Sequence, residues 1–242
     1  KGPQVRNYYA AAFENIKSSK LSDLDKIYWL VEDCKRYGTL PFAGLARAAF
    51  IATQILDSLV EVKVLTDNDK LSFLNSLTTI NTTMTQDFNR LKKSSFLLKY
   101  GHLRPGTYDI SSYRYDEMPN LYFDWGKKKK TSFNKKKFNL NANQIYKLEK
   151  YLNEYELEQS PIGLFHFIKS VVEAREYAKF IFSKSISEIL VLITNIGRNL
   201  GFTREDLAYV NIKDILKNYS SSTNINNEIK KRIKIGKSNF SK

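Results

Sequence analysis

Between Lys99 and Glu117 the chain reads KYGHLRPGTYDISSYRYDE, a run dense in side chains that can do chemistry. His102 and Asp109 could take up a proton, Arg104 and Arg114 could hold an anion, and Thr107 and Tyr108 could donate hydrogen bonds to a ligand. Pro105 and Gly106 break any helix begun before them, and the residues that follow are too polar on both faces to bury as a strand. Loops with this many convergent polar groups usually carry binding or catalysis. The competing reading is structural: Arg104–Asp109 and Arg114–Asp116 pairs brace the loop while its tyrosines pack on helices.

The elements that must position this loop read as helices. Ser22 and Asp23 cap one that runs through Ile27, Leu30, Val31 and Cys34 and is expected to stop at Gly38. Pro41 opens a second, with Leu45, Ala48, Ala52, Ile55 and Leu59 at helical spacing and Phe50 and Ile51 covering the other side. That helix is expected to be buried nearly all round, so its one cation, Arg47, needs a partner. Asp67 and Asp69 start a third. Ile80, Met84, Phe88, Leu91 and Leu98 mark a long fourth, which delivers the chain to Gly101.

Beyond the loop, Ile145, Leu148, Leu152 and Tyr155 form one stripe, and Ser160-Pro161 is a good start for a further helix. There Arg175 sits in the middle of the face made by Leu164, Ile168, Val171, Ala178 and Phe182. It either locks a neighbouring helix through a salt bridge or contacts a ligand. A separate last helix uses Ile186 to Leu200 and stops at Gly201, and Thr203 with Asp206 begins a short one. The fold expected is all-α, an irregular bundle of about six to eight helices around the polar loop.

The composition sets outer bounds. A chain of 242 residues, 42% hydrophobic, can bury a substantial core. No apolar run approaches the ~20 residues of a membrane span, and no signal peptide is visible. The single cysteine, Cys34, cannot form an internal disulfide, which fits a reducing cytoplasm. The net charge of +14 would attract polyanions, with seven lysines between Lys127 and Lys137. A solvated loop is the plainer reading of that block. The chain reads as a piece of something longer: residues 1–219 a helical domain with a basic loop near 126–138, and residues 220–242 a polar, basic linker. No glycine-rich phosphate loop, metal-spaced Cys/His cluster or nucleophile elbow appears. His166, in Leu-Phe-His-Phe, is expected to be a packed structural histidine.

The run Gly101-His102-Leu103-Arg104-Pro105-Gly106-Thr107-Tyr108-Asp109 resembles the signature of the central, substrate-binding domain in ATP-dependent dikinases of the phosphoenolpyruvate synthase and rifampin phosphotransferase group. RYGTLPFAGLARAAFIA (residues 36–52) and EAREYAKFIFSKSISEIL with GRNLGFTREDLAYVNIKDIL (between Glu173 and Leu216) resemble the same region, in the same order. The resemblance implies a three-part enzyme. An ATP-grasp domain binds ATP and Mg, a mobile domain carries a phosphohistidine, and the domain seen here receives the phosphoryl group on a small acceptor. Neither of the other two domains is matched in this chain, which by itself should not turn over, and residues 220–242 would lead toward the phosphohistidine domain.

The Arg-Pro-Gly-Thr-Tyr-Asp version of the signature implies L-glutamine as acceptor, in capsular phosphoramidate synthesis. Its amide nitrogen is a poor nucleophile, so transfer needs a base, a donor to the carbonyl oxygen and cations for the phosphoryl oxygens. Under this reading Asp109 or His102 is the base, Arg104 and Arg114 hold the phosphoryl group, and Thr107 or Tyr108 donates to the substrate. Arg47 receives the α-carboxylate, and Glu173 or Glu176 the ammonium, with Arg175 nearby. Pyruvate or an antibiotic hydroxyl is the alternative acceptor, the latter requiring a wide apolar cavity. A basic helical nucleic-acid-binding module is the reading from another class, and it would show steep salt dependence.

Overall fold

The computed structural model describes residues 2–127, 137–217, 219 and 225–240, which cover every expected site residue but only the ends of the lysine-rich loop. Twelve α-helices and no strand occur among the described residues, so the chain is all-α as expected. In chain order these are α1 (Gly2–Ser18), α2 (Asp23–Asp33), α3 (Leu40–Glu61), α4 (Asp67–Ser76), α5 (Ile80–Arg90) and α6 (Lys93–Tyr100). After the loop come α7 (Pro119–Tyr122), α8 (Ala142–Glu154), α9 (Pro161–Asn199), α10 (Arg204–Leu207), α11 (Ile212–Lys217) and α12 (Ile225–Phe240).

Local chemistry sets most helix starts. Ser22 with Asp25, Thr66 with Asp69, Asn141 with Gln144 and Thr203 with Asp206 form reciprocal capping boxes on α2, α4, α8 and α10. Each box satisfies two backbone N–H groups that the first turn leaves without partners. Ser160 Oγ accepts the Gly163 N–H at 3.0 Å and caps α9. At its other end α9 stops where expected, because Gly201 takes the left-handed conformation (φ 79°) and the Phe202 N–H reaches back to the Gly197 carbonyl at 2.9 Å.

Three expected boundaries are overturned. The chain does not stop at Gly38: α2 and α3 are joined by a π-helical segment, Cys34–Thr39, into one run from Asp23 to Glu61. A Cβ on Gly38 would lie 2.8 Å from Phe182 Cβ, so the glycine is there for close helix packing. In the wider π turn the Leu40 N–H bonds to the Lys35 carbonyl, and this irregular turn precedes Pro41, which has no N–H to give. The two helices expected after Ser160 are also one, since Ser183, Ser185 and Ser187 are buried polar residues within α9 and nothing there breaks it. Conversely, the long helix expected up to Leu98 is interrupted at Leu91–Lys92, where Lys92 is extended. The first piece, INTTMTQDFNR, is rich in weak helix formers.

The chain divides into two compact units: residues 1–40, 91–127 and 181–242 make unit 1, and residues 41–90 and 128–180 make unit 2. In unit 1, Ile27 and Leu30 of α2 pack with Ile189, Leu192 and Ile193 of α9. Ile229 and Ile233 of α12 join that core, so residues 225–240, expected to be linker, are a packed helix. In unit 2, Leu56 and Leu59 of α3, Phe73 of α4, Leu148 and Leu152 of α8 and Ile168 of α9 form a second core. Tyr155 lies past the end of α8 and is 68% exposed, so it does not belong to that helix's apolar stripe.

Asp23–Glu61 and Pro161–Asn199 are, by length and composition, apolar enough to cross a membrane. This corrects the expectation that no such stretch exists. Isolated charges, Arg47 in the first stretch and Lys184 and Glu188 in the second, interrupt the apolar runs in the sequence without lowering their mean hydropathy enough to matter. Core helices of soluble proteins pass the same test.

Candidate functional site

The polar loop belongs to unit 1 and is closed like a purse. Helix α6 enters it, anchored by Phe96 and Tyr100, both fully buried. On the return the Tyr115 N–H bonds to the Leu103 carbonyl at 2.8 Å and the Asp116 N–H to the Gly101 carbonyl at 3.1 Å. The loop ends thus meet, the geometry of a compact Ω-loop. Ile110 at its tip is 6% exposed and plugs the unit 1 core.

Arg104 runs through the middle of the loop and is only 6% exposed. Its Nη1 donates to the Asp109 and Ser112 carbonyls at 3.3 and 3.0 Å, and its Nη2 to the Ser187 carbonyl and Oγ at 3.4 and 3.2 Å. Its Nε–H is buried without an acceptor among the described residues. All four partners are neutral. Burial pulls the Arg104 pKa below the ordinary guanidinium value, with the Glu117 charge opposing the shift and Arg204 and Arg114 adding to it.

Arg114 forks onto Asp116, with Nε to Oδ1 at 2.8 Å and Nη2 to Oδ2 at 2.6 Å, and extends Nη1 to Glu188 at 3.2 Å. Burial alone would lower its pKa, but Asp116 and Glu188 raise it overall. Arg204 of α10 donates to Glu117 at 2.7 Å and to the Ile110 carbonyl at 3.4 Å, and its guanidinium lies 4.5 Å from the Tyr113 ring centre. Three arginines and three carboxylates therefore lace the loop to α9 and α10.

Asp109 accepts from the Ser111 N–H at 2.9 Å, the Ser111 Oγ at 2.6 Å and the Ser112 Oγ at 2.7 Å. Those bonds hold its carboxyl below the usual carboxylate range, which makes it a weak base. His102 is buried, Thr107 is half-buried, and Tyr108 is 69% exposed. Arg47, Glu173 and Arg175 fall in unit 2. Arg47 is exposed, so the buried cation expected there does not exist. Glu173 accepts the Thr78 N–H at 2.6 Å, and the Arg175 guanidinium lies 5.9 Å from the Phe50 ring centre. Glu176 is half-buried.

A cavity of about 490 Å³ in unit 1 opens beside the loop, with Tyr108 and Asp109 in its wall. Its lining is mostly aliphatic, including Val31, Ile186, Ile189, Leu190 and Ile193, with Lys35 and Thr39 as polar members. No group of three or more metal-ligating side chains occurs among the described residues. Sequence reasoning did not single out Ser187, Glu188, Glu117 or Arg204. The last lies in the segment GFTREDL, but nothing along the chain signals that it meets Glu117, 87 residues away.

No protein-family model, curated protein or solved structure matches this chain.

The network makes stability depend on acid pH. Burial would raise the Glu117 carboxyl, but hydrogen bonds from Arg204 and the Arg114 N–H, with the charges of Arg204 and Arg104, hold it below the usual glutamate range. Its stabilising contribution is complete above the range in which an unfolded-chain glutamate titrates and is lost as pH falls through the lower, folded-state range. Urea midpoints measured from pH 6 downward should therefore fall in acid, and Glu117→Gln should flatten the profile. An unchanged slope in that variant would show that Glu117 is not the group responsible.

Proposed function

We propose that the chain is the acceptor-binding part of an ATP-dependent dikinase-type phosphotransferase. Three ordered motif matches support this reading, and the observation that carries it is the cavity beside the signature loop, with Tyr108 and Asp109 in its wall. In the parent enzyme ATP and Mg bind an ATP-grasp domain, and a phosphohistidine delivers the phosphoryl group to this acceptor site. With L-glutamine as acceptor, ATP, L-glutamine and water give AMP, phosphate and the amide-phosphorylated amino acid, in the cytoplasm and for capsular phosphoramidate synthesis.

The lining favours a second acceptor class within the same reading. At about 490 Å³ the cavity is of drug-ligand size, and its walls are largely aliphatic. A hydroxyl-bearing acceptor with an apolar body, as in antibiotic phosphotransfer, is therefore weighed beside glutamine. Tyr108, Asp109 and Lys35 are the polar groups placed to orient either one. Arg104 and Arg114, engaged by the loop, α9 and Asp116, position the loop.

The test is AMP release by the full-length enzyme with L-glutamine, pyruvate and a rifamycin as separate acceptors. Acceptor-dependent AMP with one of them, reduced by Tyr108→Phe or Lys35→Ala, is the expected result. No acceptor dependence, together with salt-sensitive binding of RNA or DNA by the chain, would favour the nucleic-acid reading instead.

A further inference from the structure

Beyond that reading, we infer that unit 2 carries a separate ligand site: the cavity between Phe73, Phe138 and Phe165 and the basic rim of His166, Lys169 and Lys137 binds a planar aromatic anion. The cavity measures about 630 Å³. Phe73 meets Phe138 and Phe165 nearly edge-on at 5.4 and 5.0 Å between ring centres, and Phe138 and Phe165 lie within 20° of parallel. Phe73 and Phe165 are buried and Phe138 is half-buried, and a further aromatic ring can pack on such a floor.

The rim is basic. Ile162, Phe165, His166 and Lys169 all line the cavity and fall at i, i+3, i+4 and i+7 in the first turns of α9, near its positive end. His166, expected from its apolar neighbours to be packed, is exposed instead. Among the described residues, neither His166, Lys169 nor Lys137 has a hydrogen-bond or ion-pair partner, and no carboxylate lines the cavity. Glu173, one turn beyond Lys169 on α9, accepts the N–H of the lining residue Thr78 at 2.6 Å. Two ammonium groups beside an aromatic floor leave positive potential without a counter-ion among the described residues, and charge complementarity then selects an anion. The shared chemistry is a flat ring bearing an acidic group, which an aromatic carboxylate and a purine monophosphate both supply.

The chain has two histidines, His102 and His166, which permits a site-specific reading by NMR of their imidazole C–H signals. Naphthalene-2-carboxylate and AMP are titrated separately, with naphthalene-2-methanol and adenosine as neutral counterparts. The expected result is a saturable shift at His166, not at buried His102, with one or both anions, and the responding probe names the source. The neutral counterpart should bind at least about tenfold more weakly, as should the anion to Lys169→Glu, an exposed position whose change leaves the fold intact. No shift at His166 with either anion, or equal affinity for the neutral ring, would overturn the inference. So would full affinity in Lys169→Glu.

Discussion

Arg104→Ala should destabilise unit 1 by about 3–5 kcal/mol, the range for truncating one member of a buried polar network. The guanidinium makes four hydrogen bonds that join the two arms of the loop to Ser187 on α9. Removing it strands the Ser187 carbonyl and hydroxyl, whose bonds to it are buried, at about 1–3 kcal/mol for each group left without a partner, while the two part-buried loop carbonyls lose their brace. It also opens a void where a 6%-exposed side chain stood. Arg104→Lys keeps the charge but loses the fork, and should fall between wild type and alanine. Both tryptophans, Trp29 and Trp125, belong to unit 1, so the midpoint of urea unfolding by tryptophan fluorescence reads this unit directly. If Arg104 served only a bound phosphoryl group, that midpoint would stay put while transfer activity fell.

The second large effect is at Arg114. Breaking a buried ion pair by deleting one partner costs about 3–5 kcal/mol. Here the Asp116 side chain is 35% exposed, and Lys17 stands 3.5 Å from Glu188, ready to replace part of the lost charge. Solvent screening and that substitution reduce the expected loss for Arg114→Ala to about 2–3 kcal/mol. Glu188→Ala alone should cost less, and the double variant should be less damaging than the two single losses added together, by about 1–2 kcal/mol of coupling. Strict additivity in tryptophan-monitored urea unfolding would mean that the 3.2 Å contact contributes nothing. These variants also separate bracing from ligand binding. A brace fails in stability before any substrate is added.

For the candidate site, residue types were legible along the chain and roles were not. Internal pairing describes much of the loop: Arg114 pairs with Asp116, and Arg104 reaches the Asp109 carbonyl rather than its carboxylate. Asp109 looked like a base because it is an acid in a polar loop. Its serine neighbours, two and three residues on, turn it into a turn-capping carboxylate. The contacts that decide this loop's shape come from Ser187, Glu188 and Arg204, which are 83, 74 and 87 residues from their partners.

What the sequence determined by itself is what depends on neighbours within a turn or two. Capping residues placed the starts of α2, α4, α9 and α10, Gly201 placed the end of α9, and Pro105-Gly106 excluded helix from the loop. Period and composition were enough for an all-α chain. Tertiary structure alone decided where helices continue through apparent stops. Gly38 reads as a terminator until Phe182 is seen to need its space, and Lys92 reads as mid-helix until α6 is found burying Phe96 and Tyr100 in a different unit from α5. It also decided that Arg47 and His166 face outward from apolar surroundings in sequence. The physical reason is the same in each case: capping and backbone conformation are local free energies of about 1 kcal/mol, whereas burial of a large side chain contributes about 2–3 kcal/mol through contacts that the chain order does not reveal.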